Sequence, residues 1–421
     1  MKSLEHDRPE ADLLLQEPSG PCHVAVVWQR FLPYHVARLR RLRERCKAYG
    51  HRLTAIEVAS RDSSYAGFQD SDSHESGERL CCFPLMSYHE LAAEEIHRSV
   101  LSTLNCLRPD IVFAPATPFP EGMAAYVYRM VSGTRAIMMD DAWELSDRRG
   151  RLVRIVKRLI HRSIDGVFIP APSHAAYYES LGFDVERISY GVDAVDNDFF
   201  SEAADKARLK PAYWRTSHGL PEKYFLFVGR LLPRKGLATL ISAYGRYRAH
   251  CSNPWALVLV GAGPDADGIT GLLREVTGVH VIGPQFGEAL GHVYGLAEVL
   301  IVPSISDPWA LVLNEGLAAG LPVIASTGAG ATRTLVHEGQ NGWSVSPGDV
   351  DQLARTMVTA TACSVETLSR MGRNSRQIIS LWSLDRFVDG VFTAMRFPRS
   401  SKGGLFSRMA VRLWTGRVSV N

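Results

Sequence analysis

The chain is punctuated by short runs of consecutive apolar residues, each closed by turn residues and separated from the next by a longer stretch of helical period. In the first half these runs fall at residues 24–27, 53–58, 111–113, 136–139 and 167–169. In the second half they fall at 224–228, 256–260, 279–282, 299–302, 322–325 and 343–345. Runs that are apolar at successive positions predict strands covered on both faces, and their alternation with crossover helices predicts parallel β-α-β winding. Two such series predict two α/β, Rossmann-like domains whose ligand crevice lies at the carboxyl ends of the strands.

A chain of 421 residues suits two cores rather than one. The expected division is a disordered tail over 1–20, a first domain over 21–198 and a polar linker over 199–220. A second domain follows over 221–385, then a C-terminal helix and basic amphipathic tail over 386–421. Residues 60–79 are rich in Ser and Asp and read as a long loop.

Composition narrows the class. Hydrophobic residues make up 46% and charged residues 22% of the chain, and no window approaches the ~18 uninterrupted apolar residues of a membrane span. The first twenty residues lack the basic start and apolar core of a secretory signal. The seven cysteines, at 22, 46, 81, 82, 106, 251 and 363, show no C-x-x-C pair, which argues against a disulfide framework and a zinc site. A cytoplasmic location is expected.

The net charge is only +3, but it is distributed unevenly. Residues 30–47 hold seven bases against the single acid Glu44, and 148–162 hold seven bases and no acid. Five more bases and no acid lie in 399–421. Apolar positions recur at helical spacing within these stretches: Val36, Leu39, Leu42 and Cys46; Leu152, Val156 and Leu159; Phe406, Met409 and Leu413, beside Trp414. Two readings stand. The first two stretches are core-facing crossover helices with solvated outer faces, or the basic helices lie on an anionic membrane as peripheral attachments to its inner face.

The candidate chemistry is concentrated in the second half. The segment FLFVGRLLPRKG at 225–236 is a buried strand that ends at Gly229 and then presents Arg230 and Lys235. A guanidinium fork and an ammonium point charge at a crevice-facing strand end suit a diphosphate. The segment PSISDPWALVLNEGLAAGLPV at 303–323 reads as a strand end, a loop holding Asp307, and a helix over 310–319. The free N–H groups of that helix, starting near Ala310 and Leu311, would face a bound phosphate. Glu315, inside it, could accept hydrogen bonds from ribose hydroxyls, or be an ordinary helix glutamate.

Together with GAGPD at 261–265, YGLAEVLIVPS at 294–304, GAG at 328–330 and GQNG at 339–342, these segments over residues 224–390 resemble the nucleotide-sugar-binding half of retaining glycosyltransferases of family 4, the glycosyl transferases group 1. The resemblance implies the GT-B fold of two facing Rossmann-like domains, and a hexosyltransferase-type reaction that transfers sugar from a nucleotide-diphosphate-sugar in polysaccharide or glycolipid synthesis. It implies that Arg230 and Lys235 hold the donor diphosphate, that Asp307 touches the donor sugar, and that Glu315 touches the nucleotide ribose. The expected donor-binding set is Gly229, Arg230, Lys235, Gly261, Gly263, Ala310, Leu311 and Glu315.

Departures are visible. The first acid of the family's E-x7-E spacing is the shorter Asp307, and Trp309-Ala310 stands where the family usually carries glycine. The first half lacks the glycine-rich first loop, and residues 114–117 (APAT) stand where a histidine is expected. The acceptor side therefore rests on other residues. Asp140 and Asp141 follow a strand at its carboxyl end, so that Asp141 could orient or deprotonate an acceptor hydroxyl; equally, the pair could form a turn and an N-cap. Glu121 and His35 are weaker loop candidates.

No essential metal and no cofactor are expected. The D-x-D at 349–351 precedes a helix and reads as a cap, and the one at 265–267 lies in a glycine-rich loop. Gly261 and Gly263 are only a fragment of a dinucleotide fingerprint, which leaves a nucleotide-dependent oxidoreductase as a distant rival. The nearer rival is a catalytically weak homologue that acts as a binding partner in a polysaccharide assembly complex. The expected partners are a nucleotide-sugar donor, a sugar or lipid-linked acceptor and an anionic membrane surface, with no nucleic acid.

Overall fold

The computed structural model describes residues 20–61, 79–145, 150–263, 271–273, 276–401, 404–414 and 416. The expected tail, most of the Ser/Asp-rich loop and the D-x-D at 265–267 fall outside the described residues. The first sheet contains β1 (His23–Trp28), β2 (Arg52–Arg61), β3 (Arg79–Ser87), β4 (Ile111–Pro115), β5 (Arg135–Met139), β6 (Gly166–Ile169) and β7 (Ile188–Tyr190). The second contains β8 (Tyr224–Val228), β9 (Ala256–Val260), β10 (Val279–Val281), β11 (Val299–Val302), β12 (Val323–Ser326) and β13 (Gly342–Val345). Their orders are β3-β2-β1-β4-β5-β6-β7 and β10-β9-β8-β11-β12-β13, and every recorded strand pairing is parallel.

Successive residues of each central strand enter different apolar layers. Val24 and Val26 face one layer and Ala25 and Val27 the other; in the second sheet Leu226 and Val258 oppose Phe225, Phe227 and Leu257. Burial on both faces is the reason these strands read as unbroken apolar runs. Strand order reverses between β1 and β4 in the first sheet and between β8 and β11 in the second. Loops leaving a sheet on opposite faces at such a point open a crevice at the strand carboxyl ends. Both switch points contribute residues to the site described below.

Two departures from the sequence reading have physical causes. Strands β3 and β7, which the apolar runs do not predict, are the two edge strands of the first sheet. β3 leaves Leu85 and Met86 exposed, and β7 has only three residues. The stretch 199–220, read as a linker, forms the helices Asn197–Leu209 and Pro211–His218. The first packs on the helix Gly287–Leu296 so closely that Cβ atoms at Gly291 or Gly295 would collide with Ala203 or Ala204. Its buried face consists of alanines, whose weak apolar pattern conceals a well-packed helix. Finally, the helix Leu384–Ala394 returns to the first domain, inserting Phe387, Val388 and Val391 beside Phe168 and Ile137.

Candidate functional site

Lys235 is delivered by the tight turn Pro233–Lys235, which follows β8 and is closed by Gly236 at φ 76°. A Cβ on Gly236 would lie 2.1 Å from the carbonyl oxygen of Pro303, so glycine lets this turn rest directly on the β11 loop. Backbone bonds from Ile305 and Ser306 to the Arg234 carbonyl tie the same loops together. As a result Lys235 Nζ lies 2.5 Å from Asp307 Oδ2, with the side chains 17% and 7% exposed. Ser304 Oγ donates to the same oxygen at 3.4 Å. The two residues that the family resemblance assigns to donor diphosphate and donor sugar are thus neighbours.

Arg230 lies on the same loop, partly buried, immediately after Gly229 at φ 152°. Gly261 and Gly263 have a packing role in this fold. Added Cβ atoms would come within 1.9 Å of the Gly229 carbonyl oxygen and 2.3 Å of the Leu231 carbonyl oxygen. Their smallness therefore lets the β8 and β9 loops stack.

The helix expected over 310–319 is observed as Leu311–Ala318. Its N-cap, Ala310, has φ 79° and ψ 74°, a left-handed conformation that favours glycine. Trp309 is 1% exposed and points inward, its Nε1 donating to Asn314 Oδ1 at 2.9 Å. The indole is thereby directed into the protein.

Glu315 Oε2 accepts a 2.7 Å hydrogen bond from the Tyr294 hydroxyl. Desolvation pushes its carboxyl up to about 7, against the opposing influence of Tyr294 and Lys235. The folded chain thus retains a proton that the unfolded chain releases near 4.5, so this contribution to stability falls as pH rises from about 4.5 through about 7. Glu121, pushed to about 7, and Asp193, pushed to about 6, act in the same direction. Glu315→Gln is expected to make the decline of melting temperature across this window shallower without abolishing it. Melts from acid to neutral pH check this; an unchanged slope would contradict the assignment.

The first domain supplies the opposite wall. A cavity of about 270 Å³ is lined by Trp28 at the end of β1 and Arg30 beyond it, Pro115 on β4, Asp140 and Asp141 beyond β5, Asp193 beyond β7, and Leu311 of the second domain. Asp141 is pushed well above the usual carboxylate range by desolvation, with Asp193, Asp140 and Asp307 adding like-charge repulsion. Four carboxylates from three loops therefore sit within electrostatic reach of one another. Asp140 also forms a local turn, accepting from Ala142 N at 3.4 Å. Asp193 faces the buried guanidinium of Arg38 at 3.5 Å.

His35 Nδ1 accepts from Leu32 N, and its ring lies 4.4 Å from that of Trp28. Burial, reinforced by Arg38, holds it well below the ordinary histidine range. It is neutral, and with Trp28 it forms an aromatic wall of the cavity. Glu121 is fully buried and accepts from Tyr88 OH at 3.0 Å, with no place in the cavity lining. Asp349 caps the helix Val350–Ala362 by accepting from Gln352 N at 2.8 Å, and Asp351 pairs with Arg246. Among the described residues no cluster of three or more His, Cys, Asp or Glu side chains could hold a metal ion.

Residues that sequence reasoning did not single out hold the two walls together. Trp143 Nε1 donates to the Asp307 carbonyl at 3.1 Å, and Asn314 Nδ2 to the Asp193 carbonyl at 3.0 Å. His174 lies between Trp143 and Trp309, its Nε2 3.3 Å from the Pro308 carbonyl. Desolvation lowers its pKa to about 4, so the neutral ring donates from Nε2. Each is a lone polar or aromatic residue, Trp143 in a loop, His174 at the end of the turn Pro172–His174 and Asn314 inside the helix Leu311–Ala318, without a spacing pattern to reveal it.

Residues 213–378 match the family model described as glycosyl transferases group 1. An uncharacterized glycosyltransferase of Methanocaldococcus jannaschii is 34% identical over 136 residues, covering 32% of this chain and 34% of that protein. A D-inositol 3-phosphate glycosyltransferase of Gordonia bronchialis is 30% identical over 221 residues, or 49% of this chain and 48% of the relative. The matched part of the chain thus spans between about a third and a half of the length of these relatives. Among solved structures, sucrose-phosphate synthase of Thermosynechococcus elongatus superposes with a TM-score of 0.69 at 20% identity, covering 88% of this chain and 97% of that one. Anabaena HepE in complex with UDP and glucose superposes at 0.67 with 17% identity, covering 88% and 98%. These likenesses extend over both domains, and the fold is the expected GT-B arrangement.

Proposed function

We propose that this protein is a glycosyltransferase that moves a sugar from a nucleotide-diphosphate-sugar to an acceptor hydroxyl, with retention, in polysaccharide or glycolipid synthesis. The observation that carries this reading is the convergence of Lys235, Asp307 and Glu315 at the β8/β11 switch point, opposite a first-domain cavity lined by carboxylates. Lys235 and Arg230 would hold the diphosphate and stabilise the charge that develops as the bond between it and the sugar breaks. Asp307 would hold donor-sugar hydroxyls, Glu315 the ribose. The acceptor would occupy the cavity, its hydroxyl oriented by Asp141 as the oxygen bonds to the sugar carbon and its proton passes to the departing nucleoside diphosphate. Retention rests on the family resemblance. The family match and the nucleotide named in the HepE complex support the donor class.

The same reading places the enzyme peripherally on the inner face of a membrane, with a lipid-linked sugar as acceptor. A thermal-shift panel of UDP, GDP, ADP and their sugars tests the donor half. One nucleotide at a hundredfold excess over its Kd stabilises the fold by about 2.7 kcal/mol. A melting temperature unmoved by every member of the panel would contradict the proposal.

A further inference from the structure

The three basic amphipathic stretches of the sequence have different fates in the fold. The helix Pro33–Ala48 is a core element, with Leu39, Leu42, Cys46 and Arg38 buried. The helices Arg151–His161 and Leu405–Leu413, more than two hundred residues apart in sequence, pack against each other on the outside of the first domain. Ile160, Ala410 and Val411 turn inward to a shared apolar cluster.

Elsewhere most apolar side chains of both helices remain bare. Leu152 is 79% exposed and Ile155 55%, while on the other helix Leu405, Phe406 and Leu413 are 71%, 74% and 80% exposed. Residues 152, 153, 155 and 156 share one side of the first helix, and 405, 406, 409 and 413 one side of the second, as the 100° step of an α-helix requires. Arg151, Arg154 and Arg158 lie round the other side of the first helix, Lys157 turns inward to the Tyr177 hydroxyl at 3.4 Å, Arg408 and Arg412 flank the second set, and neither helix contains an acid. Exposed apolar side chains on two touching helices, bordered by bases with no acid among them, are poorly suited to water. Together they are complementary to an anionic lipid surface, where the apolar side chains enter the headgroup region and the bases meet the charge.

The face is also joined to the acceptor cavity. Immediately beyond the second helix, Trp414 Nε1 donates to the Thr117 carbonyl at 2.9 Å. Gly416 then lies against the backbone of Phe119 and Pro120, where an added Cβ would come within 2.6 Å of Pro120 N. Phe119 and Pro115, on either side of Thr117, line the cavity.

We propose that the helices Arg151–His161 and Leu405–Leu413 form a single docking face for an anionic bilayer. Trp414 fixes the cavity rim to that face, so that a lipid-linked acceptor enters from the membrane. The acceptor part rests on the glycosyltransferase reading; the docking part does not.

Sedimentation of the full chain tests the face, using vesicles of phosphatidylcholine and vesicles with a third of that lipid replaced by phosphatidylglycerol. Roughly tenfold more protein is expected to sediment with the anionic vesicles, and high salt should reverse the difference. The double variant Leu152→Glu/Phe406→Glu changes exposed positions only. It should lose this binding while melting like the parent and retaining its nucleotide-induced thermal shift. Trp414→Phe should keep vesicle binding but slow transfer to a vesicle-borne acceptor more than transfer to a soluble one. Parent protein that stays in the supernatant under every condition, even if an acidic protein captures it, overturns the docking face; so does a double variant that binds like the parent. Equal effects of Trp414→Phe on both acceptors overturn the link to the cavity. Vesicle binding without any nucleotide binding would leave the face standing and remove the enzyme reading.

Discussion

Lys235→Ala is expected to lower sugar transfer by a factor of about 10²–10³, the cost of removing one preorganised donor from a developing negative charge. The same substitution should also reduce stability, because Asp307, 7% exposed, loses the ammonium that lies 2.5 Å from it. Stranding one member of a buried pair costs up to about 3–5 kcal/mol. The two effects can be separated. In the double variant Lys235→Ala/Asp307→Asn the uncompensated carboxylate is gone, so the melting temperature should recover while transfer does not. Melts and initial rates on the single and double variants check both parts. Recovery of turnover along with stability would show that Lys235 acts only as a counter-ion to Asp307.

The second large effect is expected at Asp165, in the first domain and remote from the cavity. Its side chain is fully buried, and it accepts from Arg129 Nε and Nη2 at 2.8 and 2.6 Å, from Ala136 N at 2.9 Å and from Ser400 N at 2.7 Å. The carboxylate therefore joins two neighbouring strands and a helix to the returning C-terminal chain. Asp165→Ala leaves a guanidinium and two backbone N–H groups without their acceptor, for an expected loss of about 3–5 kcal/mol. Calorimetric melting should show a marked drop in the first domain, and hydrogen exchange should increase around residue 400. A melting temperature within a degree or two of the parent's would contradict this account of how the C-terminal segment is held.

The contrast between Lys235 and Asp165 shows where the sequence was legible. Lys235 stands at the end of a fully apolar strand, five residues after another cation and beside glycines, and such punctuation survives in a single sequence. The central strands of both sheets are legible for the same reason, because burial on two faces leaves little room for polar residues. Strands β3 and β7 are edges, so no unbroken apolar run announces them. The Asn197–Leu209 helix packs through alanines beneath glycines, close contact that carries little hydrophobic signal. Asp165, Asp193, Trp143, His174 and Asn314 act through partners distant along the chain, and no local spacing encodes such pairings.

Asp141, chosen in the sequence for its place after a strand, lies on a cavity with Asp140 and Asp193 and within the field of Asp307. Ala310, a departure from the expected glycine, nevertheless holds the left-handed conformation that glycine would supply. The loop before the helix Leu311–Ala318 thus keeps that backbone course while Trp309 becomes part of the core and, through Asn314, of the contact with the first domain.

The central claim is that the purified chain binds and breaks down a nucleotide-diphosphate-sugar through Lys235. Release of nucleoside diphosphate from a panel of UDP-, GDP- and ADP-sugars, followed for the parent and for Lys235→Ala/Asp307→Asn, tests it most directly. The account predicts release from at least one donor, faster with acceptor present and lost in the stable double variant. No binding and no release with any donor, or equal release by the double variant, would contradict it.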